Sequence, residues 1–185
     1  MRDIDTHETT ENIRHSYQQA IQRILQELEE HDLPAVEFRT LESHDNVYTL
    51  VLGQPNLRLA LHLANNRWRE TFIKTTIDDY VLTLSLHRET AVALINDKNG
   101  WSKVKPDEII RKVTDEIPTL LANNNIPLRE AKDYVRLYAA VMQLHTSPQV
   151  FAQKVLAHAS PASIDKVFAS LQAAVNFLGG DGNVI

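Results

Sequence analysis

Residues 57 to 68, LRLALHLANNRW, alternate between apolar and polar or small side chains almost without interruption. The leucines at the odd positions 57 to 63 lie on one side of an extended chain, and Arg58, Ala60 and His62 lie on the other. Successive side chains of a β-strand point to opposite faces, so this pattern predicts a strand with one buried leucine face. The other face is either a binding site or a surface that meets water.

The middle of the chain contains further segments with the composition of strands. They are separated by short links rich in Asn, Asp, Gly and Pro, which predict antiparallel neighbours. The predicted strands lie near residues 35–42, 46–53, 57–64, 67–75, 79–87 and 91–97. Together they predict an antiparallel meander of five to six strands.

A predicted hairpin brings basic side chains together on the polar face of this sheet. The two asparagines at 65–66 tolerate the positive φ of a two-residue turn, so His62 is expected opposite Arg69. The predicted strand 79–87 adds His87 on a polar face. The candidate ligand-binding residues are therefore Arg58, His62, Arg69 and His87.

Helical periodicity flanks the predicted sheet. About residues 10–31 form an amphipathic N-terminal helix, because apolar side chains recur three and four residues apart. The helical period returns over 106–121 and in three segments of 128–178. Two of these segments begin at Ser-Pro pairs, which suit the N-cap and first helical positions.

These elements predict an α+β fold. The N-terminal amphipathic helix and the antiparallel meander are followed by a helical C-terminal part of three to four helices. The linker NNNIP separates two predicted domains. Residues 1–125 form the α+β sheet domain (helix, antiparallel meander, helix), and residues 126–185 form a helical C-terminal unit packed on it.

The composition excludes several classes of protein. The 185 residues include no cysteine, which excludes a disulfide scaffold and a thiolate metal site. The net charge is −5 and no segment is strongly basic, so a broad electrostatic contact with nucleic acid is disfavoured. The N-terminus has no basic region followed by an apolar run, and no window reaches the roughly 18 apolar residues of a membrane span. We therefore expect a soluble cytoplasmic protein without a membrane partner.

Motifs of catalysis and cofactor binding are largely missing. None of the eight histidines forms a spacing that places two imidazoles on one face of a helix. Asp107 and the segment Glu130–Lys132 match the loose PD…ExK pattern of metal-dependent nucleases, but both acids open predicted helices, where they complement the helix dipole. The GGDG segment at 179–182 follows a helix, whereas phosphate-binding loops precede one. We predict no catalytic residue, no metal and no cofactor.

The C-terminal helices are rich in alanine, which leaves parts of their surface smooth. Eight alanines contribute, namely Ala139, Ala140, Ala152, Ala157, Ala162, Ala169, Ala173 and Ala174. Small side chains let another helix approach closely. Two interpretations are open: tight packing within the chain, or an oligomer interface or groove for a partner's helix.

Three functions follow, in order of preference. The first is a non-enzymatic protein-interaction module of adaptor or chaperone type, which binds another protein or itself, as a homodimer, through a sheet face or helical groove. The order helix, meander, helix is loosely similar to small acidic secretion chaperones, and this resemblance implies dimerisation and a held polypeptide. The second is a small-ligand-binding protein or enzyme with a pocket between sheet and helices. The third is a DNA-binding regulator that uses the C-terminal helices.

Overall fold

The computed structural model describes residues 4–5, 7–27, 36–53, 57–98, 100, 103–144 and 146–179. The strands are β1 (Ile4–Asp5), β2 (Arg39–Leu41), β3 (His44–Leu52), β4 (Leu57–His62) and β5 (Lys74–Thr75). The helices are α1 (Thr10–Glu27), α2 (Ile77–Leu86), α3 (Arg88–Asn96), α4 (Pro106–Arg111), α5 (Ile117–Asn123), α6 (Ala131–Val141), α7 (Pro148–His158), α8 (Pro161–Val167) and α9 (Ala169–Gly179). The α+β class predicted from the sequence is confirmed.

The described residues divide into two compact units. Unit 1 contains the residues up to Asn65 together with those from Ala169 onward, and unit 2 contains Asn66–Phe168. The chain therefore leaves unit 1 after β4 and returns to it at α9. The domain boundary predicted after residue 125 falls inside unit 2, and as a statement about folding domains it stays a prediction.

Unit 1 is built on a three-stranded antiparallel sheet in the order β2-β3-β4. Its register pairs Tyr48 with Leu61 and Leu50 with Leu59, so the leucine face predicted for residues 57–64 is formed. This face is the core of the unit, where helix α1 packs on the sheet. The buried members of that core are Ile13, Leu25, Phe38, Tyr48, Leu50, Leu52, Leu61 and Leu63.

Helix α1 begins where the sequence places its start. The Thr9 hydroxyl accepts a hydrogen bond from the Asn12 backbone N–H at 3.1 Å, which caps the first turn. The helix then buries Ile13 and Leu25 on the sheet. The predicted end of this helix near residue 31 lies outside the described residues.

Helix α9 packs against β3 and β4 on the face opposite the leucines. The polar face of LRLALH is therefore covered by a helix: His62 is buried, and Arg58 and Ala60 are half-buried. Ser170 lies against His62 and Phe177 lies against Arg58, so α9 runs antiparallel to β4. Its covering role was not predicted from the sequence.

Unit 2 is helical where the sequence predicts strands, and the meander of five to six strands is wrong. The predicted strand 79–87 lies mostly in helix α2, and the predicted strand 91–97 lies mostly in helix α3. Of the predicted strand 67–75, only β5 is extended in a strand. The register that places His62 opposite Arg69 therefore does not form.

Residues 79–87, DYVLTLSLH, alternate between leucine or tyrosine and more polar side chains, but this alternation failed as a strand signal because α2 is buried on nearly all sides. A helix without a solvent face has no need of polar side chains at helical spacing. Its start carries the local signal instead: the Thr76 hydroxyl accepts from the Asp78 N–H at 3.2 Å, and Asp79 accepts from the Thr76 N–H at 2.9 Å. These reciprocal bonds form a capping box.

Pro118 sets the shape of the long helical segment after residue 106. Between α4 and α5 the residues Lys112–Glu116 form a π-helical turn. Proline has no N–H to donate to the carbonyl four residues earlier, which is that of Thr114. The guanidinium of Arg69 donates to this carbonyl through Nη2 and so replaces the missing donor.

Two helices of unit 2 end in a left-handed residue. At the end of α5, Asn125 has φ 60° and the Ile126 N–H donates to the Leu121 carbonyl at 2.9 Å. At the end of α6, Gln143 has φ 50° and the Leu144 N–H donates to the Ala139 carbonyl at 2.8 Å. Both are Schellman motifs, in which glycine or asparagine is the usual left-handed residue.

None of the helices formed by the described residues is long and apolar enough to cross a membrane.

Candidate functional site

The four residues predicted to bind a ligand are divided between the units. Arg58 and His62 lie in unit 1, and Arg69 and His87 lie in unit 2. The predicted strand pairing that placed His62 opposite Arg69 is absent. The prediction that they bind a ligand is itself untested.

Arg58 binds the C-terminal turn of α9. Its Nη1 donates to the Phe177 carbonyl at 3.2 Å, and its guanidinium carbon lies 5.8 Å from the centroid of the Phe177 ring. A cation at a helix C-terminus compensates the negative end of the helix dipole. The contacts of Arg58 therefore attach α9 to the sheet.

His62 belongs to a buried polar cluster with Asn46 and Ser170. The side chain of His62 is 2% exposed, and its Nε2 lies 2.9 Å from the Ser170 Oγ. The Asn46 Nδ2 donates to the Leu63 carbonyl at 2.8 Å and lies 3.3 Å from both the His62 Nε2 and the Ser170 Oγ. Burial lowers the pKa of His62 to about 4, which keeps the imidazole neutral near pH 7.

A hydroxyl this close to an imidazole resembles the nucleophile and base of a hydrolase. With its proton on Nδ1, His62 accepts a hydrogen bond at Nε2 from the Ser170 hydroxyl. The imidazole is, however, 2% exposed and is enclosed between the sheet and α9. We interpret the cluster as the polar attachment of the first turn of α9.

Arg69 and His87 have structural surroundings in unit 2. The Arg69 guanidinium carbon lies 4.6 Å from the Trp68 ring centroid and 5.1 Å from that of Tyr134. These cation–π contacts accompany its bond to the Thr114 carbonyl. His87 is half-buried at the junction of α2 and α3, where its backbone N–H donates to the Leu84 carbonyl at 3.2 Å.

The two acids of the nuclease-like pattern form ion pairs. Asp107 lies in the first turn of α4, as predicted, and its carboxylate is 3.3 Å from the Arg88 Nε. Glu130 immediately precedes α6, and its carboxylate is 2.9 Å from the Lys74 Nζ. Over the described ranges, no three His, Asp or Glu side chains gather into a group that could hold a metal ion.

Unit 2 contains a groove of about 630 Å³ between the C-terminal half of α6 and the start of α7. Its volume is within the range of ligand pockets, roughly 300–1,000 Å³. Most of its lining is apolar or small, and Arg136 is the one charged side chain among the described lining residues. The lining comprises Val135, Arg136, Ala139, Ala140, Gln143, Leu144, Thr146 and Pro148.

Two polar groups that line this groove have no hydrogen-bond partner among the described residues. Within the described part of the chain, the exposed guanidinium of Arg136 has no hydrogen bond or ion pair. The buried Thr146 hydroxyl likewise has no hydrogen-bond partner among those residues. An apolar groove with a few unpaired polar groups is the usual composition of a binding site.

The residues at the C-terminal end of α6 line the groove, and the side chain of Lys98 donates hydrogen bonds to them. Lys98 Nζ donates to the Met142 carbonyl and, at 3.1 Å, to the Gln143 carbonyl. A lysine at the last carbonyls of a helix is favourable. Gln143 carries the left-handed conformation, which is uncommon for residues other than Gly, Asn and Asp and is found often at functional sites.

Replacement of Gln143 by glycine is expected to raise the free energy of unfolding by about 1 kcal/mol, because glycine adopts positive φ without strain. The matched variant N125G changes the same Schellman position of α5 and is expected to gain less, since asparagine tolerates this conformation. Urea unfolding followed by circular dichroism measures both. Equal gains at the two positions would contradict strain at Gln143.

Comparison with known proteins returned no match to a family model, to a curated protein or to a solved structure.

The sequence pointed to part of this groove. Ala139 and Ala140 belong to the alanines for which a partner groove was one interpretation. Arg136, Gln143 and Thr146 were not predicted, because nothing in their local sequence distinguishes them from ordinary helix and loop residues. Only the fold of α6 against α7 brings them together.

Proposed function

We propose that this chain is a non-enzymatic protein-interaction module and that the α6–α7 groove is its docking surface. The observation that carries the proposal is the groove itself, with its small apolar lining and the unpaired Arg136. A groove of this kind receives the apolar face of an amphipathic helix. Helices α1 and α9 cover the two faces of the sheet, so the groove is favoured over a sheet face.

The two alternatives have less support. A ligand-binding protein or enzyme that uses Arg58, His62 and Arg69 would need these side chains to leave the intramolecular contacts that they make. A DNA-binding regulator would use a C-terminal helix as its recognition helix, and the last of the predicted helical segments covers residues 161–178. That segment is divided at Phe168 into α8 and α9, which belong to different units. The homodimer and the cytoplasmic location stay predictions.

A displayed library of random peptides tests the proposal, because such a library selects binders for a surface whose natural partner is unidentified. Peptides of about 16 residues cover four helical turns and are long enough to fill the groove. Wild-type protein is expected to select binders, and fluorescence anisotropy then measures their affinities. Absence of any selected binder would overturn the proposal.

Two tryptophan variants locate the bound peptides. Ala140 is exposed and lines the groove, so A140W fills the groove without altering the core and is expected to weaken binding about tenfold or more. Ala162 is exposed on α8 and does not line the groove, so A162W is the matched control. Peptides that bind A140W as well as wild type would exclude the groove as the docking surface.

A further inference from the structure

We infer that the partner of the α6–α7 groove is an amphipathic peptide helix that presents a carboxylate one helical turn from an apolar side chain. This inference rests on the proposed function and names the chemistry of the partner. It depends on the arrangement of Arg136 beside the small residues of α6.

The lining residues of α6 form one face of that helix. Val135 and Ala139 are four residues apart, and so are Arg136 and Ala140. Residues four apart on a helix lie about 5–6 Å from each other on the same face. A basic group and an alanine-lined floor are therefore one helical turn apart.

The alanines select the apolar part of the partner. Ala140 is exposed and carries a single methyl group, so it leaves space that a partner's side chain can fill, whereas Ala139 is buried. The half-buried Leu144 and Pro148 contribute further apolar atoms to the lining. A Leu, Ile, Met or Phe side chain fits such an environment, because burial of its surface is favourable.

Arg136 selects the charge of the partner. Its guanidinium is exposed, has no ion pair among the described residues, and is the one charged group of the described lining. A guanidinium binds a carboxylate through two parallel N–H donors. The positive end of the α7 dipole, which begins at Pro148 beside the groove, adds to the preference for an anion.

The chain as a whole is acidic, so this preference is local. The net charge of −5 disfavours an acidic partner over most of the surface. An acidic helix is therefore attracted to the groove through Arg136 and repelled elsewhere. Such a pattern gives orientation and specificity to a complex more than it gives affinity.

Charge reversal on both sides tests the inference. The probes are the peptides selected by the wild type and their counterparts with each Asp and Glu replaced by Lys. Wild-type protein is expected to bind the acidic forms about fivefold or more tightly than the lysine forms. The variant R136E is expected to reverse this preference, whereas K166E, which makes the same charge change on the exposed surface of α8, is expected to keep it.

Each outcome supports or overturns either the acidic partner or the groove as a docking surface. Reversal by R136E and not by K166E supports the acidic partner. Selected peptides that lose binding to A140W but show no charge preference overturn this inference and leave the groove as a docking surface. Peptides that bind A140W like wild type, or a selection that yields no peptide, overturn the proposed function and this inference together.

Discussion

The variant D79A is expected to lower the free energy of unfolding by about 3 kcal/mol, because the buried N–H of Thr76 and the partly buried N–H of Trp68 lose their acceptor. The Asp79 side chain is 0% exposed. One carboxylate oxygen accepts from the Trp68 N–H at 3.0 Å, and the other accepts from the Thr76 N–H at 2.9 Å. The carboxylate thus caps α2 and fixes the preceding loop to it.

The pKa of the Asp79 carboxyl shows the energetic cost of its burial. Burial raises the pKa of the Asp79 carboxyl, and the two N–H bonds and the charge of Arg67 partly offset that rise. A buried carboxylate is retained where it satisfies groups that would otherwise be left unpaired. Removal of the carboxylate leaves both N–H groups without this acceptor, so the loss is larger than that of an ordinary cap.

Asp78 provides the matched control, since it lies in the same first turn but is only half-buried. D78A is expected to cost less than about 1 kcal/mol, the usual size of a first-turn interaction with the helix dipole. Urea unfolding near pH 7, followed by tryptophan fluorescence, measures both variants. Equal losses in D78A and D79A would show that the buried hydrogen bonds of Asp79 are not the cause.

The stability of wild-type protein is expected to fall by up to about 3 kcal/mol as the pH drops from 6.5 to 4. His62 has a pKa of about 4 in the folded protein and an ordinary value of 6.5. Its neutral form is favoured by folding, so its contribution is complete above pH 6.5 and is lost as the pH falls toward 4. Each unit of pKa shift corresponds to about 1.4 kcal/mol.

The variant H62Q isolates this effect, because glutamine does not titrate. The difference in unfolding free energy between wild type and H62Q is expected to change across the interval from pH 6.5 to 4. A pH dependence that H62Q leaves unchanged would refute the assignment to His62.

The hairpin of β3 and β4 could be predicted from the sequence, because each strand has one buried face and one face of different character. In such a strand, side chains that alternate in polarity along the sequence also alternate between the two faces of the sheet. The same kind of alternation led to a wrong strand prediction for α2, in which Tyr80, Val81, Leu82 and Leu84 are all buried. For a segment enclosed on all sides, hydrophobicity carries no period, and the capping box at Thr76 and Asp79 was the better signal.

The candidate site was less accessible to sequence reasoning. Strand alternation and the expected hairpin register predicted Arg58 and Arg69 as ligand-binding residues, yet these side chains bind the carbonyls of Phe177 and Thr114. Arg136 gives no such signal, since it occupies an exposed position of an amphipathic helix. Arg136 stands out because its guanidinium has no hydrogen bond or ion pair among the described residues. A local sequence pattern does not encode that property.

The path of the chain through the two units has a consequence for synthesis. Unit 1 begins before residue 66 and receives α9 only after Phe168. A ribosome therefore releases the sheet with one face uncovered, and the whole of unit 2 is translated before Ser170 can meet His62. Folding of unit 2 before α9 docks shortens the effective loop that α9 must close. Unit 2, which is inserted in the sequence of unit 1, therefore lowers the entropic barrier to the completion of unit 1.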